Sequence, residues 1–142
     1  MDTGPRSLEV IRAVPWDRAT RVWMLIILVE SMHGAAREVF IAPVLGGLRA
    51  RQVGVLVGSA LIFLIAWATA RWMGAGTRRI QLAVGFYWAM MTLAFECTLG
   101  RVLGMSWSRI LFDYDLSRGG FMLFGLAFLV FAPMLAAKLR RL

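Results

Sequence analysis

Four apolar stretches, each long enough to cross a lipid bilayer as a helix, constrain this chain most strongly. A helical crossing takes about 20 mainly apolar residues. The stretches are residues 16–43, 53–72, 80–103 and 119–139, and short segments with Gly and Arg separate them. The chain is 60% hydrophobic with a mean hydropathy of +0.71, whereas soluble domains are about 45–50% apolar. The sequence therefore predicts an all-α membrane protein with four transmembrane helices.

The domain organisation follows from the same pattern. Residues 1–15 are a polar tail with Pro5 and Pro15, in which we expect a short surface helix ending at Pro15, because proline interrupts a helix. Residues 16–142 form a single four-helix transmembrane domain. A basic start, an apolar run and the small residues 34–36 also resemble a signal peptide. The acidic residues in the tail and the apolar run that resumes at Val39 favour a retained helix.

The distribution of Lys and Arg predicts the orientation, since cytoplasmic loops carry the excess. Ten cations fall on the side of the two termini: Arg6, Arg12, Arg18, Arg21, Arg71, Arg78, Arg79, Lys138, Arg140 and Arg141. Six fall on the other side: Arg37, Arg49, Arg51, Arg101, Arg109 and Arg118. We therefore expect both termini to be cytoplasmic, in a multi-pass protein whose partner is the lipid bilayer.

Charge and motifs exclude several classes of function. The net charge is +8, but the basic residues flank apolar runs and form no patch of the kind that binds nucleic acid. Cys97 is the single cysteine, so it has no intrachain disulfide partner and no Cys-rich metal site is expected. Walker A, nucleophile-elbow, His-Glu-x-x-His and Rossmann motifs are absent from the sequence. The pattern is less typical of an enzyme than of a binding or transport protein.

The first stretch carries a polar stripe within its apolar run. Glu30, His33 and Arg37 follow an i, i+3, i+7 spacing, which puts them within an arc of about 60° on a helix. Charged groups at membrane depth usually face the bundle interior or a water-filled cavity. Glu96 lies within the third stretch and Arg101 near its end. These five residues are the candidate binding site.

Two interpretations of the stripe stay open. In the functional one, Glu30 carries an ion or proton, His33 is a switchable partner, and Arg37 clamps a carboxylate or phosphate. In the structural one, the same groups satisfy one another and Glu96 across helices and fix the fold. The small residues Gly54, Gly58 and Ser59 of the second stretch are interpreted as sites of close helix packing.

A cofactor is not assigned, although His33 leaves two possibilities. Glu30-x-x-His33 matches the spacing that supplies two ligands to a di-iron or di-manganese centre. The chain has one histidine, so a monomer lacks the full set, and no metal residues are predicted. A single histidine is sufficient as the axial ligand of a haem or chlorin. Metal or pigment binding through His33 is therefore an alternative.

The two halves of the chain show weak internal sequence similarity. Aligning Glu30 with Glu96 pairs Arg37 with Arg101 when a two-residue gap is allowed. The same alignment then pairs Arg51 with Arg118 and Gly58 with Gly125. One alternative is two tandem helical hairpins related by a pseudo-two-fold axis along the membrane normal. The other is that hydrophobic hairpins with basic loops resemble one another.

The loop before the fourth stretch is amphipathic and contains an acidic pair. Asp113 and Asp115 lie close to Arg109 and Arg118, and we expect local ion pairs there in a short interfacial segment.

Several segments together support a resemblance. They are Glu30–Pro43 (ESMHGAAREVFIAP), Arg51–Ser59 (RQVGVLVGS), Thr92–Glu96 (TLAFE) and Gly104–Leu116 (GMSWSRILFDYDL). The chain resembles a family of short bacterial four-span inner-membrane proteins with no known activity. The resemblance implies a free-standing protein of the bacterial cytoplasmic membrane and assigns no functional residues.

The leading hypothesis is a small transport or ligand-binding protein that uses the intramembrane Glu30, His33, Arg37 and Glu96 cluster. The main rival is a non-catalytic accessory subunit of a larger membrane complex. Because four short spans barely enclose a path, transport would require a homo-oligomer.

Overall fold

The structure, a computed structural model, describes residues 4–142, with side chains from Ser7 onward, and this range is helical without strands. Seven α-helices follow one another in the order α1 Gly4–Ala13, α2 Trp16–Ala36, α3 Ala42–Leu45, α4 Gly47–Met73, α5 Arg78–Val102, α6 Trp107–Phe112 and α7 Met122–Leu139. A π-helix, Arg37–Ile41, joins α2 to α3, and a 3-10 turn, Leu116–Arg118, follows α6.

The four long helices form a bundle. Helix α7 packs against α4 and α5, and α2 packs against the same two helices from the other side. The apolar core lies in the half of the bundle that holds the two termini, where Ile26, Val84, Trp88 and Leu129 are fully buried. The indole Nε1 of Trp88 donates to the Ala19 carbonyl oxygen at 2.8 Å. This half of the molecule is therefore closed by apolar packing.

Three helices, α4, α5 and α7, are long and apolar enough to cross a membrane. Within residues 4–142, α2 does not meet the same standard, because its 21 residues include Asp17, Arg18, Arg21 and Glu30. A membrane location thus rests on three helices by length and composition.

The first stretch differs from the single helix over residues 16–43 that the sequence predicts. Helix α2 ends at Ala36, and the π-helical turn follows, with the Ala42 amide donating to the Arg37 carbonyl. Pro43 explains the change, since a proline in a helix lacks the N–H and its ring clashes with the carbonyl four residues before it. A wider turn keeps the chain helical past that obstacle.

The segment between the first two apolar stretches is mostly helical, because α4 already begins at Gly47, six residues before the second stretch. Gly46, with a positive φ of 84°, makes the reversal alone. Leu, Arg and Ala after it are good helix formers, so the second span starts earlier than its apolar run. The other long helix ends have local causes: the Thr77 hydroxyl caps α5 by accepting from the Ile80 amide at 3.2 Å, and left-handed Gly74 ends α4.

Candidate functional site

A cavity of about 520 Å³ lies between α2, α4, α5 and α7, in the half of the bundle away from the termini. The loop that contains α6 covers its end. Its charged and titratable lining comes from several elements and includes Glu30, His33, Arg37, Arg51, Glu96 and Asp113. Of the five residues that the sequence singles out, four line this cavity.

The polar stripe of α2 faces the cavity. The Nδ1 of His33 lies 3.8 Å from Oε2 of Glu30, and both side chains are largely buried. Arg37 begins the π-helical turn, and its Nη2 lies 3.3 Å from the exposed Glu38 carboxylate. π-Helical turns occur frequently at functional sites. The turn sets the direction in which the Arg37 side chain leaves the helix.

Two glycines of α4 make room for this stripe. A Cβ on Gly58 would lie 2.6 Å from Oε2 of Glu30, and one on Gly54 would lie 2.9 Å from Cδ of Arg37. The interpretation of these glycines as packing sites is therefore refined: the atoms that approach them belong to Glu30 of α2 and Arg37 of the π-helical turn. Any larger residue would push the stripe out of place.

Glu96 reaches the cavity from α5. Its carboxylate is close enough to the Arg37 guanidinium for the two charges to interact. The Glu30 carboxylate is in turn close enough to interact with the charge of Glu96. Over residues 4–142, the Glu96 carboxylate has no ion pair within 4.0 Å. The carboxyl groups of Glu30 and Glu96 thus both lie near the guanidinium of Arg37 in the cavity, and the like charges of two carboxylates disfavour one another.

An ion-pair network closes the end of the cavity. Asp113 pairs with Arg51 of α4 at 2.8 Å and with Arg109 of α6 at 3.2 Å, and Gln52 donates to the Gly119 carbonyl at 2.8 Å. The local pairs expected in this loop are present, with Asp115 and Arg118 at 3.4 Å. Sequence reasoning did not include Arg51 in the site, because its partner is distant in the chain.

Arg101 does not join the others. It lies in the last turn of α5, where its Nη1 donates to the Met105 carbonyl at 3.1 Å and its guanidinium lies 5.4 Å from the centre of the Trp107 ring. Its exposed side chain contacts the loop after α5. Arg101 therefore lies outside the cavity.

Several polar atoms at the site are buried and have no hydrogen-bond partner within the described chain. They are Oε1 of Glu30, Nε2 of His33, Nε of Arg37, Nε of Arg51 and the hydroxyl of Tyr114. Of these, Nε of Arg51 has an ion-pair contact with Asp113, although it makes no hydrogen bond. An unsatisfied buried group costs about 1–3 kcal/mol, and most native buried polar groups are satisfied. The atoms include both donors and acceptors, so the site suits a ligand that offers both.

Tyr114 was not among the residues predicted from the sequence. Burial, followed by the negative charge of Glu96, raises the pKa of its phenol above the ordinary value of 10.0. The hydroxyl therefore stays protonated at neutral pH and keeps a proton to donate. A tyrosine between two loop aspartates carries no sequence pattern that would have identified it.

A metal site that includes His33 lacks a ligand set, since the described residues include no group of three or more His, Cys, Asp and Glu placed to hold a metal ion.

Comparison with protein-family models, with curated proteins and with solved structures finds no match.

Proposed function

We propose that this protein is a small multi-pass membrane protein whose cavity binds a polar or amphipathic ligand, as the binding step of transport or ligand delivery. Glu30, His33, Arg37 and Glu96 are the binding residues. The observation that supports this best is the set of buried polar atoms on three of these side chains that have no partner within the described chain.

The contrast with the neighbouring ion pair argues against a purely structural role. Arg51 and Asp113 meet at 2.8 Å and join α4 to the loop after α6. At this distance the two charges form a close ion pair between two elements, although Nε of Arg51 makes no hydrogen bond. Glu30 and His33 are 3.8 Å apart, and Glu96 has no such contact in residues 4–142. Carboxylates without a close cationic partner favour a ligand-binding site over an ion pair that holds helices together.

The proposal includes four crossings of a bacterial cytoplasmic membrane. The first runs through α2, the π-helical turn and α3, residues 16–45, which at about 1.5 Å per residue is longer than the hydrocarbon core. With both termini cytoplasmic, the cavity lies in the outer half of the membrane. Passage to the other side requires a second conformation, because the apolar core closes the inner half.

A tandem-hairpin relation between the halves stays part of the proposal. Two of its aligned pairs, Glu30 with Glu96 and Gly58 with Gly125, line the cavity together. Transport through so small a unit would use a homo-oligomer.

Thermal unfolding in detergent distinguishes a ligand-binding cluster from one that only stabilises helix packing. Glu30→Gln keeps the side chain's shape and removes a charge that costs stability where it is unpaired. We expect its melting temperature to equal or exceed that of the wild type, as is common when a functional site is neutralised.

The matched control is Arg51→Gln, which breaks the Arg51–Asp113 pair and leaves the cluster intact. We expect it to lower the free energy of unfolding by about 1–3 kcal/mol. If Glu30→Gln and Glu96→Gln destabilise the protein as much as Arg51→Gln does, the cluster serves to hold the helices together. The accessory-subunit interpretation then replaces the proposal.

A further inference from the structure

Helices α2 and α5 are joined only along part of their length. Their contacts run from the Thr20 and Tyr87 hydroxyls, 2.8 Å apart, to Trp23, whose Nε1 donates to Thr92 at 3.0 Å and whose ring meets Phe95 edge to face. Beyond Phe95, no hydrogen bond or ring contact links the two helices in the described part of the chain. The two helices thus separate toward the end that holds the cavity.

The residues on either side of this separation line the cavity and are also exposed on the outside. Ser31 and Ala35 on α2 are exposed cavity residues, and Leu99 on α5 and Leu103 directly after it are 39% and 70% exposed. A residue that is exposed and also lines the cavity marks an opening. The cavity therefore opens sideways between α2 and α5.

The other sides are closed. A Cβ on Gly125 of α7 would be in ordinary contact with Val55 of α4, at 3.6 Å. Ile110 of α6 is buried against Gly100 of α5, and the Arg51–Asp113 pair closes the end. Given the four crossings proposed above, the opening between α2 and α5 faces lipid.

The chemistry of the site fits a ligand that has an apolar part and two opposite charges. Apolar side chains such as Ile27, Phe95 and Leu99 line the path from the opening. Further in, the carboxylates of Glu30 and Glu96 can accept hydrogen bonds, whereas the guanidinium of Arg37 donates and keeps an unpartnered Nε. An ammonium satisfies the first two groups, and a phosphate or carboxylate satisfies the third.

We infer that the gap between α2 and α5 is a lateral portal through which the cavity takes up the polar end of a zwitterionic amphiphile from the bilayer. The ammonium lies against Glu30 and Glu96, the anionic group lies against Arg37, and the hydrocarbon part remains in the gap. This inference rests on the proposed binding function and adds the class of ligand and its route.

Native mass spectrometry of the purified chain with added lipid tests the inference. The probes are dioleoyl phosphatidylethanolamine, dioleoyl phosphatidylglycerol with the same chains, and the water-soluble O-phosphoethanolamine. We expect one phosphatidylethanolamine per chain, retained at least ten-fold better than phosphatidylglycerol, and no displacement by millimolar O-phosphoethanolamine. Arg37→Gln and Glu96→Gln should each reduce this retention at least ten-fold.

Two further variants make the result specific. Arg49→Gln removes an exposed cation from the same end of the molecule and should retain the lipid as the wild type does. Leu99→Trp, which fills the gap from α5, should reduce retention while circular dichroism shows an unchanged helical content. This variant leaves the charged residues in place, so a loss would come from the portal.

Each contrary outcome has a defined meaning. Equal retention of the two lipids, or equal losses in Arg49→Gln and Arg37→Gln, overturns the inference. Binding of O-phosphoethanolamine without phosphatidylethanolamine also overturns it, but leaves the cavity as a binding site. If neither probe binds, the lateral-portal inference fails, and the melting temperature of Glu30→Gln decides separately whether the proposed function fails with it.

Discussion

Gly58 determines where the Glu30 carboxylate lies. A methyl group at this position would come within 2.6 Å of Oε2 of Glu30, a distance that forces one of the two groups to move. The side chain of Glu30 is held between α2 and α4, so displacing it would disturb its approach to His33. A single hydrogen-to-methyl change thus tests the geometry of the site.

We expect Gly58→Ala to displace the end of the Glu30 side chain and to weaken ligand retention. Because this side chain can rotate, the variant should be less stable than Gly125→Ala by about 1 kcal/mol, at the lower end of overpacking costs. Gly125→Ala is the matched control, because its Cβ would be 3.6 Å from Val55, an ordinary contact. Thermal unfolding of both variants provides the measurement. Equal stability of the two would contradict the described position of Glu30.

Asp115 gives a pH-dependent prediction outside the membrane-spanning helices. The hydrogen bond from the Ser117 hydroxyl, together with the Ser117 amide at 3.0 Å, lowers the pKa of this exposed carboxyl below its ordinary value of 3.8. A lowered pKa means that the ionised form stabilises the turn above the ordinary value, and that this contribution is lost as the pH falls through the lower folded value.

The Ser117 amide resonance in an NMR titration should therefore shift with a midpoint below 3.8. Asp115→Asn should abolish the transition and leave the spectrum of α5 unchanged. A midpoint above the ordinary value would show that the turn does not hold the carboxylate.

At the residue scale, the sequence predicted the part of the site that lies on one helix. The i, i+3, i+7 spacing alone placed Glu30, His33 and Arg37 on one face. Arg51 and Tyr114 could not be found in this way, because their roles depend on which elements meet in space. Arg101 was selected as a charged residue near the end of the third apolar stretch, and that position does not fix where a side chain points.

At the scale of elements, α5 and α7 approach each other closely enough for backbone contact at Gly85. A Cβ on Gly85 would overlap the Val130 carbonyl oxygen, which belongs to a backbone and cannot rotate away. Small residues that permit such backbone contact are a common means of helix association in membranes. Gly85 therefore sets the distance between the two helices.

Gly85→Ala should force α5 and α7 apart and cost at least about 3 kcal/mol, at the upper end of overpacking effects. Gly76→Ala is the control, since a Cβ there meets nothing within 4 Å. Thermal unfolding in the same detergent compares them. A melting temperature for Gly85→Ala that matches Gly76→Ala would show that α5 and α7 are not in backbone contact.

Apolar run length predicted the long helices but not all of their ends. The ends of α5 and α7 lie near the limits of their apolar runs, whereas α4 extends past its run to Gly47. The π-helical turn before Pro43 also lies outside what hydropathy detects. These departures depend on backbone restrictions at single Pro and Gly residues, and they shape the cavity end of the bundle.

At the scale of the whole molecule, the two halves of the bundle have different roles. The half with the termini is filled by Trp88, Ile26 and their neighbours, and the other half contains the cavity. The sequence predicted charged residues in the first and third spans, but it contained no information on which helices are adjacent. Adjacency of α2 and α5 is what brings Glu30 and Glu96 into one cavity.

The proposed four crossings predict which loops a membrane-impermeant thiol reagent can reach. In a Cys97→Ser background, Arg49→Cys should be labelled from the outside of intact cells, and Gly76→Cys only after the membrane is permeabilised. Labelling of both positions from the outside, or of neither, would contradict the orientation.

The most direct measurement is cross-linking of Glu30→Cys with Glu96→Cys in the Cys97→Ser chain, using a short bismaleimide and intact-mass detection. The pair Thr20→Cys with Tyr87→Cys is the positive control, because the native hydroxyls are 2.8 Å apart. If the two carboxylates share the cavity, both pairs should gain one cross-linker per chain and retain no free thiol. A positive control that reacts while Glu30→Cys and Glu96→Cys each take up a separate reagent would show that these side chains do not meet.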